Sequence, residues 1–412
     1  MHYSDVIIIG GGAAGLTAAI FAAKNGKKTT LLERTPQCGR KILMSGGTRC
    51  NVLPVKSTVD DFVTESSRNR LRNIFKSWSV DRCYRWFHEE VKLEMECERE
   101  SNKWFPKSNS AKEVRDLLVV KAQSLGVEII LKASVVTLNR IGEYWKISTE
   151  DGQHFSAPAV ILSSGGLSIP TTGTDGTGHE LVRKIGHTMV KPYPALTPLK
   201  GPHPGSEPLP GVSLDVDITP ENTKDMGFKI RRNGFVFTHQ GYSGPAILDV
   251  SHLVVKAMER NDEKTELFVN WIRKPTDWWR QQIQGKHDTT ALLRNHLPRR
   301  LADNLLEENQ LGGLKSAELN KKQRNTLIND LTAYKLKPTG HLGFKKAEVT
   351  GGGVPLEEVD PATMQSQIAP GLFLCGEILD VFGRIGGFNF YWAWVSGRLA
   401  GMYAGAEPVN NE

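Results

Sequence analysis

No stretch of the 412 residues approaches the ~20 consecutive apolar residues that a membrane-spanning helix requires. The first strand-like segment begins by residue 5, which leaves no room for a secretory leader. A soluble, cytoplasmic protein is therefore expected, with an organelle left open if a leader was removed before the numbering begins. Cysteine is scarce: the five (Cys38, Cys50, Cys83, Cys97, Cys375) form no C-x-x-C pair and no Cys/His metal spacing. The odd number excludes a closed disulfide framework, a reducing compartment fits, and no metal site is expected. Runs of like charge are also missing. Lys and Arg outnumber Asp and Glu by 52 to 45, yet Arg231-Arg232, Arg299-Arg300, Lys321-Lys322 and Lys345-Lys346 stand far apart among acids. They read as solvated faces, which disfavours nucleic acid as a partner. No period of 20–50 residues is visible, which excludes a solenoid or propeller.

What is present begins at residue 4. Val6 to Ile9 is a short apolar run of buried-strand type, followed by Gly10, Gly12 and Gly15 in the spacing G-x-G-x-x-G and by an alanine-rich helix that runs to Gly26. The first glycine permits a tight turn, the second lets backbone N–H groups approach a pyrophosphate, and the third lets the helix lie close on the sheet. The N–H groups of Ala13 and Ala14 open that helix, whose positive end favours phosphate. After a second strand, Thr29 to Leu32, Glu33 stands 18 residues past Gly15, where a carboxylate can accept hydrogen bonds from ribose hydroxyls, with Arg34 beside it. The unit predicts a bound dinucleotide, and hence redox chemistry.

The first 190 residues continue as α/β, with helical stretches around 60–90 and 110–125 and strands at Val127–Leu131, Tyr144–Thr149 and Ala159–Leu162. A backbone group near Val135 is expected to meet the adenine. Eight of the 21 prolines fall between 192 and 220, a stretch excluded from any central sheet or helix interior and read as a border. Gly205 within it is expected to tolerate a side chain. Beyond it, Val212–Ile218 and Phe228–Phe237 alternate like strands, and 275–332 carries helical spacing. The α/β character returns at Gly371–Glu377 and in a helix opened by Gly386-Gly387-Phe388-Asn389. The expected fold is α/β: a Rossmann-like domain built from both chain ends (1–193 and 345–412), an inserted β-rich domain (194–255 and 331–344) and a small helical domain (256–330).

Three features favour FAD as the dinucleotide. The corner Gly376-Glu377 suits the middle of an extended cofactor. The helix start at Gly387 can stabilise the negative charge a flavin takes up on reduction. The segment from Gly39 through Arg40, Lys41, Ser45, Gly46 and Gly47 to Asn51 can pass close to the flavin ring, with Arg40 or Lys41 on phosphate. The turn Ser164-Gly165-Gly166 is placed on the cofactor as well. Cys50, in the same loop, reads as a small packed side chain rather than a redox thiol.

The motifs KILMSGGTRCN (41–51), PTTGTDGTG (170–178), THQGYSGPA (238–246), VTGGGV (349–354) and GLFLCGEILDVFGRIGGFNFYWAW (371–394) resemble, in order, the aminoacetone-oxidase-like, BaiN-type family of FAD-dependent oxidoreductases. The resemblance implies a two-part FAD domain carrying a β-barrel-like and a helical insertion, and activities from amine oxidation to double-bond reduction. One departure is that Phe388, Phe390 and Tyr391 stand where that family usually reads Gly-Gly-Tyr-Asn-Leu-Gln. No second G-x-G-x-x-G follows a strand and opens a helix, so NAD(P)H is expected only as a transient electron donor. Candidate acid–base and substrate residues are His239, Tyr242, Asp380 and Arg384, with Tyr193 at the insertion border. The sequence thus points to an FAD-dependent oxidoreductase acting on a small organic substrate. An oxygen-dependent amine oxidase and a flavin-dependent RNA-modifying protein remain as alternatives.

Overall fold

The computed structural model describes residues 1–221, 231–260, 264–285 and 287–405. It divides into two compact units, Met1–Pro192 with Val349–Glu412, and Tyr193–Glu348.

In the first unit, every side chain of Val6–Ile9 is buried, so the strand needs partners on both edges and cover on both faces. It lies at the centre of a parallel sheet in the order Leu372–Leu374, Ala159–Leu162, Val6–Ile9, Thr29–Glu33, Glu128–Leu131. Sequence order reverses between Val6–Ile9 and Ala159–Leu162, which opens a crevice at the carboxyl ends of these two strands. Both the first glycine turn and the turn Ser163–Gly166 emerge there. An antiparallel meander, Val135–Ile141, Tyr144–Thr149 and His154–Ala157, forms a separate sheet, extended by His2–Tyr3. The helical stretch expected around 60–90 resolves into Arg68–Lys76, Val80–Trp86 and Phe87–Val91.

The first helix, Ala13–Lys24, and the last, Phe388–Tyr403, are apolar nearly all round because each is covered on several sides. They meet backbone to backbone. A Cβ on Gly397 would fall inside contact distance of the Ala14 carbonyl, and one on Gly401 inside that of Ala18. Glycine at this four-residue spacing lets the two chain ends close on each other, which fixes the domain as a two-part structure.

The second unit contains, among the described residues, a seven-stranded antiparallel sheet. Its order is Tyr334–Leu336, Leu267–Asn270, Ser213–Pro220, Arg231–Thr238, Gly241–Ser243, Leu199–Lys200, Gly340–His341. The two edge strands are joined by only three residues, 337–339. Since an extended residue spans at most ~3.6 Å, the sheet must curl until its edges nearly meet, the barrel-like form that the resemblance implies. The helices Thr276–Gln282, Thr289–Arg294, Arg299–Glu308 and Lys321–Thr332 pack onto it. Phe235 and Phe237 of the sheet, with Trp271 just past one of its strands, share one apolar core with Leu293, Leu301 and Leu327 of the helices. Where composition separated a β-rich from a helical insertion, one core spans both.

The proline-rich stretch differs from its sequence reading. The strand expected at Val212–Ile218 is present as Ser213–Pro220, but it is an inner strand of the seven, so the proline-rich border reaches into a central sheet, and Pro220 is tolerated because it is the last residue of the ladder. Pro192 and Pro194 lie in a short strand, Val190–Ala195, of a two-stranded sheet whose open side needs no N–H. Nor is Gly205 indifferent. Its φ is +65° and a Cβ would come within 2.7 Å of Asn304 Cβ. The Asn304 amide also donates to the carbonyls of Pro204 (2.7 Å) and Glu207 (2.6 Å), pinning the loop. Of the expected strand Phe228–Phe237, residues 228–230 lie outside the described residues and the rest is strand.

The helix contact gives a direct test. Gly401→Val forces a branched side chain into the Ala18 carbonyl and should destabilise the protein by roughly 3 kcal/mol, the upper range of overpacking. The measurement is the urea midpoint of the cofactor-free protein. An unchanged midpoint would mean that the two helices do not close through their backbones.

Candidate functional site

The first glycine turn is built by exclusion. Gly10 has φ +105° and a Cβ there would lie 2.6 Å from the Ser163 carbonyl, while a Cβ on Gly15 would run into the Gly10 carbonyl. Both positions require glycine because backbone occupies the space. Gly12 is different: a Cβ there would meet nothing within 4 Å. It is the N-cap of Ala13–Lys24, with no side chain bonded to the helix end, so the N–H groups of the first turn have no intrahelical partner. The open ground in front of Gly12 is therefore polarised for an anion. The Ser164 hydroxyl nearby is buried with no hydrogen-bond partner among the described residues.

Glu33 ends the neighbouring strand and is 8% exposed. Its two carboxylate oxygens accept the N–H groups of Gly11 and Thr35, each at 2.7 Å. Each oxygen keeps a further lone pair for a hydroxyl donor. The Ala133 N–H donates to the Glu33 carbonyl (2.9 Å), which brings the start of the strand at Val135 beside it. Arg34 pairs with Asp175 at 2.5 Å and so fastens the loop Gly173–Thr177. Burial would raise the Asp175 carboxyl, but Arg34 and Thr177 outweigh it and hold it at about 2.

The segment after Gly39 is strained. Gly39 itself has φ +68° and donates to the Gly11 carbonyl (2.8 Å). The helix Arg40–Met44 follows, and the Ser45 hydroxyl donates to the Ile42 carbonyl (2.7 Å). Then Gly46, Gly47, Thr48 and Cys50 all have positive φ. Thr48 and Cys50 are not glycine, and backbone of this kind persists only where surroundings impose it. The Cys50 side chain is buried, and burial pushes its thiol up to about 12, against a hydrogen bond from Ser45. A Cβ on Gly46 would meet Asn51 Oδ1 at 2.9 Å, whereas one on Gly47 meets nothing. The loop rests on the last helix: a Cβ on Gly387 would lie 2.8 Å from the Leu53 carbonyl carbon and 3.1 Å from the Asn51 oxygen.

Gly387 is the N-cap of Phe388–Tyr403 and, like Gly12, has no side-chain cap. The residues around it serve the turn. Gly386 has φ +124°, and the Asn389 amide clamps Gly383, accepting its N–H (2.7 Å) and donating to its carbonyl (2.8 Å). The Arg384 guanidinium lies 4.3 Å over the ring of buried Phe388 and pairs with Asp61 at 2.6 Å. Asp380, 2% exposed, accepts the Glu65 N–H (2.8 Å) and the Thr64 hydroxyl (3.2 Å). Asp380 thus fastens the backbone at Glu65, and Arg384 fastens the Asp61 side chain to the Phe388 ring.

Of Arg40 and Lys41, either of which is expected on phosphate, Lys41 reaches Glu377 (2.6 Å) and the Ser168 hydroxyl (2.5 Å). The other Glu377 oxygen accepts the Ser168 hydroxyl and the Thr350 N–H, both at 2.8 Å. Thr350 Oγ1 in turn accepts the N–H groups of Leu167 (2.7 Å) and Ser168 (3.1 Å), and leaves no room for a Cβ on Gly166. Burial would raise the Glu377 carboxyl, but Lys41 and the Ser168 and Thr350 donors keep it below the usual range. This network ties the segments at 41, 166–168, 350 and 377. Gly376 seats against Ala14, its Cβ position 2.9 Å from that methyl. Thr350 sits in the VTGGGV motif and so carried a signal. Ser168 carried none. Gly165 and Arg40 lie in the same unit, at φ +74° and half-buried respectively.

His239 and Tyr242 belong to the second unit. His239 is exposed in the turn between two strands. Tyr242 is buried, its hydroxyl donates to the Pro202 carbonyl, and burial pushes it up to about 12. It lines a cavity of about 420 Å³ with His203, Glu308 and Tyr334. Tyr193 is buried beneath the Arg260 guanidinium, 4.7 Å from its ring.

Residues 4–403 match the family described as HI0933-like protein Rossmann domain. The chain belongs to this family. Relatives include a ribosomal RNA dihydrouridine synthase of Escherichia coli, 30% identical over 96% of this chain and 96% of that protein. Another is a 3-dehydro-bile acid delta(4,6)-reductase of Clostridium scindens, 30% identical over 97% and 99%. Among solved structures, a 3-ketosteroid-delta4-(5alpha)-dehydrogenase from Rhodococcus jostii superposes with a TM-score of 0.54 at 14% identity, covering 98% of this chain and 97% of that one. The protein is an FAD-dependent oxidoreductase. Among the described residues, no helix is long and apolar enough to cross a membrane.

Two outcomes are expected. Glu377→Gln leaves the Lys41 ammonium without its counter-charge and should cost about 2 kcal/mol at neutral pH. Because the folded-state carboxyl lies below the ordinary 4.5, its contribution is complete above that value and is lost as pH falls through the folded-state value. The gap in denaturant midpoint between wild type and variant should therefore close in acid. A gap independent of pH would contradict the charge pair. Gly47→Val puts a side chain where no protein atom stands, so the cofactor-free protein should lose about 2 kcal/mol, the strain of a β-branched residue at positive φ. Its FAD affinity, read by flavin fluorescence, should fall at least tenfold if the ring lies there.

Proposed function

We propose that this protein reduces a carbon–carbon double bond conjugated to a carbonyl group, with NAD(P)H as electron source. The observation that carries the reading is the combination of one dinucleotide cradle at Gly12 with a second uncapped helix start at Gly387. FAD, when bound, supplies the hydride chemistry, and the protein supplies position and polarity. The first-turn N–H groups from Ala13 to Gly15 hold the pyrophosphate, Glu33 holds the ribose, and the backbone at Val135 meets the adenine. The pair Lys41–Glu377 fixes the loops that flank the middle of the cofactor. Gly46 and Gly47 would give a flavin ring close backbone, and the helix start at Gly387 would stabilise negative charge on it.

The relatives narrow the reaction. Dihydrouridine formation saturates a ring double bond conjugated to a carbonyl, and a delta(4,6)-reductase acting on a 3-dehydro bile acid does the same in a steroid. Equal identity to both supports the shared transformation rather than either substrate. A free small molecule is the first reading of the substrate. A second, a uracil base within RNA, is favoured by the net charge of +7 and by the relatives of that name in two organisms. The amine-oxidase alternative draws no support from these relatives.

A nicotinamide without its own dinucleotide turn has to use the face where substrate docks, so the two should alternate. Anaerobic stopped-flow of the flavin absorbance should show reduction by NADH or NADPH with a rate nearly linear in nucleotide concentration. Reoxidation by a conjugated enone should follow, with ping-pong kinetics. Tight saturation with a stable ternary complex would sink the shared-face reading. Absence of bleaching by either nucleotide, with rapid bleaching by an amine, would replace the reductase by an oxidase.

A further inference from the structure

Charge along this chain is not spread evenly. Residues 271–337 hold thirteen Lys and Arg against seven Asp and Glu, which accounts for +6 of the total +7 and leaves the rest of the chain close to neutral. Part of this charge is gathered into one exposed strip by tertiary contacts. Lys274 lies 5.6 Å over the ring of half-buried Trp278, and Trp278 meets the exposed His296 edge-on at 5.0 Å. Both rings rest on the fully buried Trp279, at 5.0 and 5.7 Å, so they form a fixed platform rather than a pair of mobile side chains. Two residues before His296, Arg294 pairs with Asp303 at 2.7 Å, and Arg299 reaches the same carboxylate at 3.9 Å. Asp303 thus serves two guanidinium groups, and Asp288 lies near enough to act on Arg294 as well, which leaves Arg299 the more loosely held of the two. Arg299 is 77% exposed.

From this arrangement we infer that the strip Lys274–Trp278–His296–Arg294–Arg299 docks single-stranded RNA. The inference rests on the second reading of the substrate given above, uracil within RNA. Cations beside aromatic faces are the elements that hold an unpaired strand: guanidinium and ammonium groups take the phosphates, and the rings take bases by stacking. A duplex would leave the platform unused, because its bases are already stacked and its groove edges are closed to a flat ring. A lipid surface is a poor fit. None of the exposed large apolar side chains among the described residues falls between 271 and 337, so the strip has nothing to insert. The strip as a whole is not visible in the sequence, where Arg273-Lys274, Arg294 and Arg299-Arg300 stand apart and read as separate solvated charges.

The test uses the full-length, FAD-loaded protein and fluorescence anisotropy of a labelled oligouridylate across a salt series. Trp278→Ala should weaken binding by about tenfold, the range of one lost stacking contact. The double change Arg294→Gln with Arg299→Gln should lower the slope of log affinity against log salt by about 0.7, the one phosphate contact on a single strand that their shared carboxylate leaves them. Lys345→Gln with Lys346→Gln, a positive pair outside the strip, should leave both quantities as in wild type. Wild-type flavin content and melting temperature in each variant establish that the fold is intact. The inference is overturned if the oligonucleotide does not bind, or if the strip variants bind like wild type. It is also overturned if duplex RNA or anionic phosphatidylserine vesicles bind more tightly than the single strand through the same residues. NAD(P)H-dependent loss of uracil ultraviolet absorbance is followed in parallel. Strip-dependent binding without that loss removes the RNA-reduction reading and keeps the docking surface. Loss of absorbance that is indifferent to the strip variants does the reverse.

Discussion

The constraint on which the rest of this protein depends is the approach of backbone to backbone where glycine leaves out a side chain. Gly15 sits against the Gly10 carbonyl, Gly397 against that of Ala14 and Gly401 against that of Ala18. These contacts bring the first and last helices together over one sheet and seat Gly376 on Ala14. The consequence is topological. With the chain ends locked to each other, the residues between Pro192 and Val349 can form a second compact unit without disturbing the first. A single Cβ at any of these positions would separate elements that carry the anion cradle, the strained loop and the last helix start.

Electrostatics then does what glycine cannot. The segments at 41, 166–168, 350 and 377 are distant in sequence. They are joined by Lys41 and Glu377, with Ser168 and Thr350 completing the carboxylate's partners. Removing two charges from water is costly, and a pair of this kind is stable only when the remaining donors and acceptors are satisfied. Here they are, which is why the carboxyl stays ionised despite burial. Arg34 and Asp175 perform the same task at the rim, where both side chains are more than a third exposed and solvent screens the pair. The protein thus uses a shielded ion pair near the middle of the cradle and an exposed one at its edge.

What could be read from the sequence was whatever depends on local spacing. Gly10, Gly12, Gly15 and Glu33 fall within one strand–helix–strand unit, so the dinucleotide turn is legible from about thirty residues. The apolar runs at Val6–Ile9 and Ala159–Leu162 needed no partner to be recognised as buried strands. Arg40 and Lys41 could not be told apart as phosphate ligands, because a lysine beside a glycine turn looks like one until the carboxylate 336 residues away is known. Gly205 was misjudged for the same reason: its neighbour is Asn304, on a helix that the proline-rich stretch does not foreshadow. Ser213–Pro220 shows a related error, since a proline at the end of a strand removes one ladder bond and leaves the rest of the strand free to be central.

The likeness to the ketosteroid dehydrogenase spans 98% of this chain at 14% identity, so the backbone constraints persist where nearly all side chains differ. The fold therefore cannot choose the substrate. Two relatives equally similar to this chain over their whole length carry names for a nucleobase in ribosomal RNA and for a steroid. A free steroid and a base in a polyanion share the conjugated carbonyl and differ in charge and size. Discrimination between them must then come from side chains outside the cradle, and the extent of negative charge is the property by which a polyanion and a bile acid with its single carboxylate differ most. In this chain the net positive charge resides almost wholly between 271 and 337, in the inserted unit and outside the segments that form the dinucleotide turn.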